Sequence, residues 1–121
     1  NSADIFYRHD MSKINSSFDK IVDKIFDSIE SIQDDMIKKS NEKLKNNTHE
    51  VDSYDDFKKL IETQSGFVIA GWDGTNETEE AIKNETKATI RCIPEDLDSK
   101  GVTCIYSGKP AAHKVIFSKS Y

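Results

Sequence analysis

The feature that most constrains the fold is a run of helical periodicity over residues 13–46, which no proline or glycine interrupts. Apolar side chains recur at spacings of three and four, which places them on one face of an α-helix. They are Ile14, Phe18, Ile21, Val22, Ile25, Phe26, Ile29, Ile32, Met36 and Ile37. Asp, Glu and Lys fill the opposite face, which we interpret as exposed to solvent.

Such a helix extends for roughly 50 Å at about 1.5 Å per residue. That length exceeds the core of a small domain, and the whole chain has only 121 residues. We therefore expect part of the apolar stripe to contact another domain or another chain.

The composition agrees with one solvated element beside a small core. Hydrophobic residues make up 36% of the chain and charged residues 32%, which is polar for a compact domain. Sequence-independent binding to nucleic acid depends on neutralising phosphates with Lys and Arg. A net charge of −5 and only two arginines, Arg8 and Arg91, argue against it.

Cysteine usage and hydropathy indicate the compartment. A secreted disulfide scaffold of this length would carry more cysteines than Cys92 and Cys104, so we expect reduced thiols in a cytoplasmic protein. No apolar run approaches the roughly 20 residues that span a bilayer, and no signal peptide is visible. The chain begins at Asn1, not Met, from which we expect a fragment of a longer protein.

The remaining segments predict a small α+β domain. Residues 1–12 indicate the end of a strand with no partner before it. The segment "NNTHEVDSYDDFKKLIET" predicts a second helix, in which Ser53 and Asp56 resemble a capping box. The run "GFVIAGW" at 66–72 predicts a strand buried on both faces.

Beyond that strand, "DGTNETEEAIKNET" predicts a turn and a short helix with Ala81 and Ile82 facing inward. "KATIRCIP" predicts a strand that ends at Pro94, and "VTCIY" and "HKVIFS" predict a hairpin around "SGKPAA". The predicted fold class is α+β: a long N-terminal helix, then a mostly antiparallel sheet of about four strands packed with two helices.

The stretch "CIYSGKP" has the spacing of half a zinc knuckle, with Ser107 where a second cysteine would stand. A structural zinc site takes four ligands, often as two close pairs. The soft candidates Cys92, Cys104, His49 and His113 contain no close pair. Both cysteines alternate with apolar neighbours, so we interpret them as small core residues. Spacing alone favours an ordinary turn.

No catalytic set emerges from the residues. A nucleophile needs an adjacent base and an orienting group, and no activating motif surrounds the cysteines or His113. The glycine turn in "GWDGTNETEEAI" precedes a helix, but its carboxylates would repel a phosphate. Lys109 and Lys114 are too few to form a basic patch. The residues favour a non-catalytic module that docks on something.

Several motifs together resemble one family. They are "NTHEV" after the long helix, the strand "GFVIAGW", "ETKATIRCIP", the turn "SGKP" and a terminal Tyr. Residues 13–121 are similar to the C-terminal domain of prolyl-tRNA synthetase, in its archaeal and eukaryotic-like architecture. The opening "IFYRHD" resembles the end of the preceding anticodon-binding domain. The resemblance implies a remnant of that domain at 1–12, a connecting helix at 13–48 and a C-terminal domain at 49–121.

The resemblance implies ATP-dependent ligation of proline to its tRNA by a class II synthetase. The catalytic core, which binds ATP with magnesium, would lie outside this chain, so the fragment is expected to be non-catalytic. The implied partners are the catalytic and anticodon-binding domains of the same chain and the proline tRNA. The full-length enzyme is expected to be a cytoplasmic homodimer.

The resemblance also implies particular site residues. Many family members hold a structural zinc with four cysteines, and the matching positions here are Asp73, Thr78, Cys104 and Ser107. Only one keeps a sulfur, so we expect no zinc. The family's terminal Tyr carboxylate reaches toward the catalytic centre, and Tyr121 matches it, although in an isolated fragment we expect a frayed tail.

Two other hypotheses compete with this one. The first is a free-standing interaction module that docks through its long amphipathic helix. The second is a domain that is stabilised by zinc.

Overall fold

The computed structural model describes residues 1–64 and 66–120. The chain forms two compact units, Asn1–Lys43 and Leu44–Tyr121. The elements are β1 (Ser2–Phe6), β2 (Lys13–Ser17), α1 (Ile21–Asn46), β3 (Thr48–Glu50), α2 (Tyr54–Thr63), β4 (Phe67–Trp72), α3 (Asn76–Thr86), β5 (Ala88–Cys92) and β6 (His113–Lys119). The predicted α+β class is confirmed.

The first unit corrects the predicted start of the long helix. Residues Lys13–Ser17 form strand β2, which pairs antiparallel with β1 so that Ile14 lies opposite Ile5. The helix begins only at Ile21. The strand expected within residues 1–12 is present as β1, and the strand that pairs with it, β2, follows it in the chain. Pairing with β1 overrides the local helical spacing of this segment.

Helix α1 has 26 residues, which corresponds to about 39 Å. None of its residues is buried. Most side chains of the predicted apolar stripe are exposed, with exposures from 43% at Ile25 to 66% at Phe26, whereas Ile14, Ile21 and Ile32 are half-buried. Among the described residues, no helix is both long and apolar enough to cross a bilayer.

The second unit contains a four-stranded sheet in the order β3-β4-β6-β5. β3 runs parallel to β4, and the other two pairings are antiparallel. The mostly antiparallel sheet of four strands is therefore confirmed, but one of its strands is not the segment that was predicted. β3 takes the place of "VTCIY", which is not a strand.

Residues 103–110 form a tight turn instead of the predicted hairpin. The Cys104 N–H donates to the Lys109 carbonyl at 2.7 Å, and the Gly108 N–H donates to the Cys104 carbonyl at 3.0 Å. The Ile105 N–H donates to the carbonyl of Gly71 on β4 at 2.9 Å. These bonds fold the segment onto the end of β4, so it does not extend beside β6.

The core lies between the sheet and helices α2 and α3. Its buried side chains are Phe57, Ile61, Val68, Ala70, Ile82, Ala88, Ile105, Val115 and Phe117. The rings of Phe57 and Phe117 meet edge to face at 5.1 Å. Ile82 faces inward as predicted, whereas Ala81 is only half-buried.

Two local predictions are wrong. Ser53 occupies the N-cap position of α2, but its side chain makes no capping hydrogen bond. Cys92 is exposed, whereas Cys104 is buried as predicted. A bulge between Ile90 and Cys92 breaks the alternation of β5, so the period-2 pattern misplaces this side chain.

Candidate functional site

Three of the four positions for which the resemblance implies zinc ligands lie together at one end of the sheet. Asp73 follows the last residue of β4, and Thr78 lies in the first turn of α3. Ser107 lies in the tight turn 103–110. A fourth polar residue, Thr75, is the N-cap of α3. We call Asp73, Thr75, Thr78 and Ser107 the Asp73 cluster.

The Asp73 carboxylate is the centre of this cluster. Its Oδ2 accepts hydrogen bonds from Ser107 Oγ at 2.6 Å and from Thr78 Oγ1 at 2.9 Å. Its Oδ1 accepts from the Thr75 N–H at 3.1 Å and from Thr75 Oγ1 at 2.9 Å. Both carboxylate oxygens are therefore engaged by donors from this end of the domain.

The cluster controls the ionisation of Asp73. Partial burial is the largest single influence and opposes ionisation, but the hydrogen bonds from Ser107, Thr75 and Thr78 together outweigh it. They lower the pKa of the Asp73 carboxyl from its ordinary value of 3.8 to about 2. The group is an anion at neutral pH, and an anionic carboxylate is only an acceptor.

The side chains at the four aligned positions do not fit zinc. A structural zinc ion takes four ligands from thiolate, imidazole or carboxylate groups. Here Cys104 supplies one thiol and Asp73 one carboxylate. The hydroxyls of Thr78 and Ser107 donate hydrogen bonds to the Asp73 carboxylate. Across residues 1–64 and 66–120, no group of three or more His, Cys, Asp or Glu side chains is arranged to hold a metal ion.

The other candidate residues do not assemble into a catalytic site. His113 begins β6, and its ring lies 6.4 Å from that of Trp72. His49 lies on β3, opposite Val68. Within the described part of the chain, neither cysteine side chain is hydrogen-bonded to a histidine. Tyr121 lies outside the described residues.

A second cluster, which no sequence pattern predicted, joins α2, α3 and the tight turn. The hydroxyls of Tyr54 and Tyr106 donate to the two carboxylate oxygens of Glu85, at 2.9 and 3.1 Å. The two rings meet edge to face at 5.3 Å. Lys58 Nζ lies 4.9 Å from the centre of the Tyr54 ring. No sequence signal links these positions, because Tyr54 and Tyr106 are each more than twenty residues from Glu85.

Burial and the hydrogen bond to Glu85 raise the pKa of Tyr54, and the hydrogen bond to Glu85 raises that of Tyr106. Both phenols therefore remain neutral donors at physiological pH. The two hydrogen bonds to Glu85 therefore connect α2, α3 and the tight turn.

Comparison with known proteins gives a consistent result. A family model described as "Prolyl-tRNA synthetase, C-terminal" matches residues 54–121. The proline–tRNA ligase of Amoebophilus asiaticus is 39% identical over 121 residues, which cover 100% of this chain and 25% of the relative. That of Phocaeicola vulgatus is 42% identical over 124 residues, with 100% and 25% covered. That of Flavobacterium johnsoniae is 44% identical over 116 residues, with 94% and 23% covered.

The chain thus spans about a quarter of the length of the curated relatives it matches. Each of these relatives is named for one activity, and the alignments cover nearly all of this chain.

Proposed function

Since the chain belongs to the family of prolyl-tRNA synthetase C-terminal domains, we propose that it is the non-catalytic C-terminal domain of an enzyme that ligates proline to its tRNA. The observation that carries this proposal is the family match over residues 54–121, together with relatives of the same name that align across the whole chain.

The chemistry is proposed to take place outside this chain. ATP with magnesium activates proline in the catalytic domain, and this chain supports that domain and the anticodon-binding domain. Zinc has no part in the proposal, because two of the four aligned side chains are hydroxyls. The full-length enzyme is proposed to work as a cytoplasmic homodimer that binds proline tRNA.

The exposed stripe of α1 supports packing against other domains of the same protein. Large apolar side chains along one helix face are commonly covered in the working assembly. The proposed division places a remnant of the anticodon-binding domain at 1–12, the connecting helix at 13–48 and the C-terminal domain at 49–121. Within the proposed connecting segment, residues 13–17 form β2, which pairs with β1. The alternative of a free-standing interaction module has no support among the relatives.

The test is attachment of radiolabelled amino acid to tRNA by the longer protein and, separately, by the 121-residue chain. We expect the longer protein to charge proline tRNA with proline in the presence of ATP and magnesium, and the chain alone to charge nothing. A longer protein that does not charge proline tRNA would overturn the proposal, and so would catalysis by the chain alone.

A further inference from the structure

The side chains at the four positions are not suited to bind the zinc ion that the resemblance implies. A structural zinc ion joins two segments by gathering anionic ligands around one cation. We propose that the Asp73 cluster makes the same connection with the polarity reversed: one anion, the Asp73 carboxylate, is surrounded by hydrogen-bond donors and holds the 103–110 turn against the start of α3. This inference goes beyond the proposed function, because it concerns what fixes the fold.

The geometry of the donors supports this role. Four donors converge on one carboxylate, two on each oxygen, with distances from 2.6 to 3.1 Å. Hydrogen bonds to an ionised acceptor are shorter and about twice as strong as neutral ones. Three of the donors are hydroxyls, which direct their protons at the carboxylate, so the cluster suits an anionic centre.

One of these bonds connects distant parts of the chain. Ser107 and Asp73 are 34 residues apart, whereas the partners at Thr75 and Thr78 lie within five residues of Asp73. Ser107 Oγ also accepts weakly from the Lys109 N–H at 3.5 Å. The hydroxyl therefore relays a hydrogen bond from the backbone of the turn to the carboxylate after β4.

The neighbouring backbone holds the turn close enough for this contact. The Ile105 N–H donates to the Gly71 carbonyl at 2.9 Å. A Cβ atom at Gly71 would lie 2.2 Å from the Thr103 carbonyl oxygen, so the two segments touch directly beside Asp73. Cys104, the sulfur that remains at the aligned positions, is buried in the same turn. Backbone bonds and the Asp73–Ser107 bond together close the contact that a metal would otherwise close.

The test is the thermal unfolding of the 121-residue chain and three variants. Asp73→Asn keeps the shape but removes the charge and places an NH₂ group among donors. We expect its melting temperature to fall by about 5 °C or more, since bonds to charged groups are the stronger class and small domains respond steeply. Ser107→Ala removes only the long-range bond and is expected to cause a smaller fall.

Asp98→Asn is the matched control. Asp98 accepts from the backbone N–H of Lys100 at 2.9 Å in an exposed loop, and this local bond joins no distant segment. We expect its melting temperature to change by less than about 2 °C. A loss at Asp73→Asn no greater than at Asp98→Asn would overturn the proposal.

Two further arms apply even if Asp73→Asn is too unstable to purify. If Asp73→Asn can be purified, the double variant Asp73→Asn/Ser107→Ala tests the bond itself, and its melting temperature should fall by less than the sum of the two single falls. If it cannot, Ser107→Ala alone is the test, and an unchanged melting temperature contradicts the proposal. The wild-type chain should melt at the same temperature with equimolar Zn²⁺ and with EDTA. A melting temperature that rises with zinc and returns with EDTA would show that a metal ion holds the two segments together, and it would contradict the proposal that the Asp73 carboxylate does so.

Discussion

The ionisation of Asp73 makes a prediction about pH. Its folded pKa of about 2 lies below the ordinary 3.8. A depressed pKa means that the carboxylate stabilises the fold above about pH 4 and that this contribution is lost as the pH falls through about 2. We therefore expect the gap in unfolding free energy between the wild-type chain and Asp73→Asn to be constant near neutrality and to shrink in acid.

Urea unfolding over a series of pH values measures this gap. The pKa values of Asp4 and Asp10 are also lowered, but both residues are present in the two proteins and cancel in the difference. A gap that does not change with pH would show that the charge of Asp73 does not matter.

Restoring one sulfur tests the donor set. We expect Ser107→Cys not to acquire tight zinc binding, because Asp73 and Thr78 still occupy the other two non-sulfur positions and a structural site takes four suitable ligands. Competition with a zinc-binding dye, with the wild-type chain as control, measures the affinity. Stoichiometric zinc binding that survives the competitor would show that the remaining residues can complete a site.

The sequence could identify three of the four residues of the Asp73 cluster but not their roles. The resemblance aligned Asp73, Thr78 and Ser107 as positions that had lost their metal ligands. It did not indicate that the carboxylate would become the centre, since that depends on a contact across 34 residues. Thr75 was missed, because its hydroxyl is aimed at Asp73 only once the N-terminus of α3 is fixed.

The contact between β4 and the tight turn can be tested through Gly71. A Cβ there would meet the Thr103 carbonyl oxygen at 2.2 Å, and this neighbour is backbone that cannot swing away. We expect Gly71→Ala to lower the unfolding free energy by more than about 3 kcal/mol, at the upper end for overpacking. Chemical denaturation measures the loss.

Gly101→Ala is the matched control, because nothing lies within 4 Å of its Cβ position and only its φ of +75° opposes a side chain. That strain alone costs about 1–2 kcal/mol. If Gly71→Ala loses no more than Gly101→Ala, the two segments do not pack as closely as described.

In contrast to Gly71, the exposed stripe of α1 is expected to contribute little to the stability of the 121-residue chain. Phe26 is 66% exposed, so we expect Phe26→Ala to change the stability of the 121-residue chain by less than about 0.5 kcal/mol. Phe57 is 0% exposed and packs on Phe117, so Phe57→Ala is expected to cost about 3–5 kcal/mol. Denaturant unfolding compares them. A large loss at Phe26 would mean that this side chain is buried in the chain itself.

Some helices and strands could be predicted from the sequence and others could not, for physical reasons. Strand β4 and helices α2 and α3 were predicted because hydrophobic period and turn residues agree locally. The start of α1 was not, because residues 13–17 satisfy a helical spacing but pair with β1. "VTCIY" has the composition of a strand, yet its backbone bonds to Gly71 and Lys109 fold it into a turn.

For the whole chain, the fold class could be predicted from the order of elements, whereas the function came from the resemblance and not from any catalytic spacing. The residues alone indicated only a docking module, because their spacing contains no recognisable catalytic motif. Its identity rests on motifs that extend over most of the chain and on the match over residues 54–121.

The most direct measurement is the charging of proline tRNA by the longer protein, intact and with residues 49–121 removed. We expect removal to lower kcat/KM at least tenfold, about 1.4 kcal/mol of transition-state stabilisation, because the catalytic and anticodon-binding domains lose their support. The Asp98→Asn protein, changed in an exposed loop outside the stripe of α1, serves as an intact-length comparison. A truncated enzyme that charges proline tRNA as fast as the intact one would contradict a supporting role for this domain.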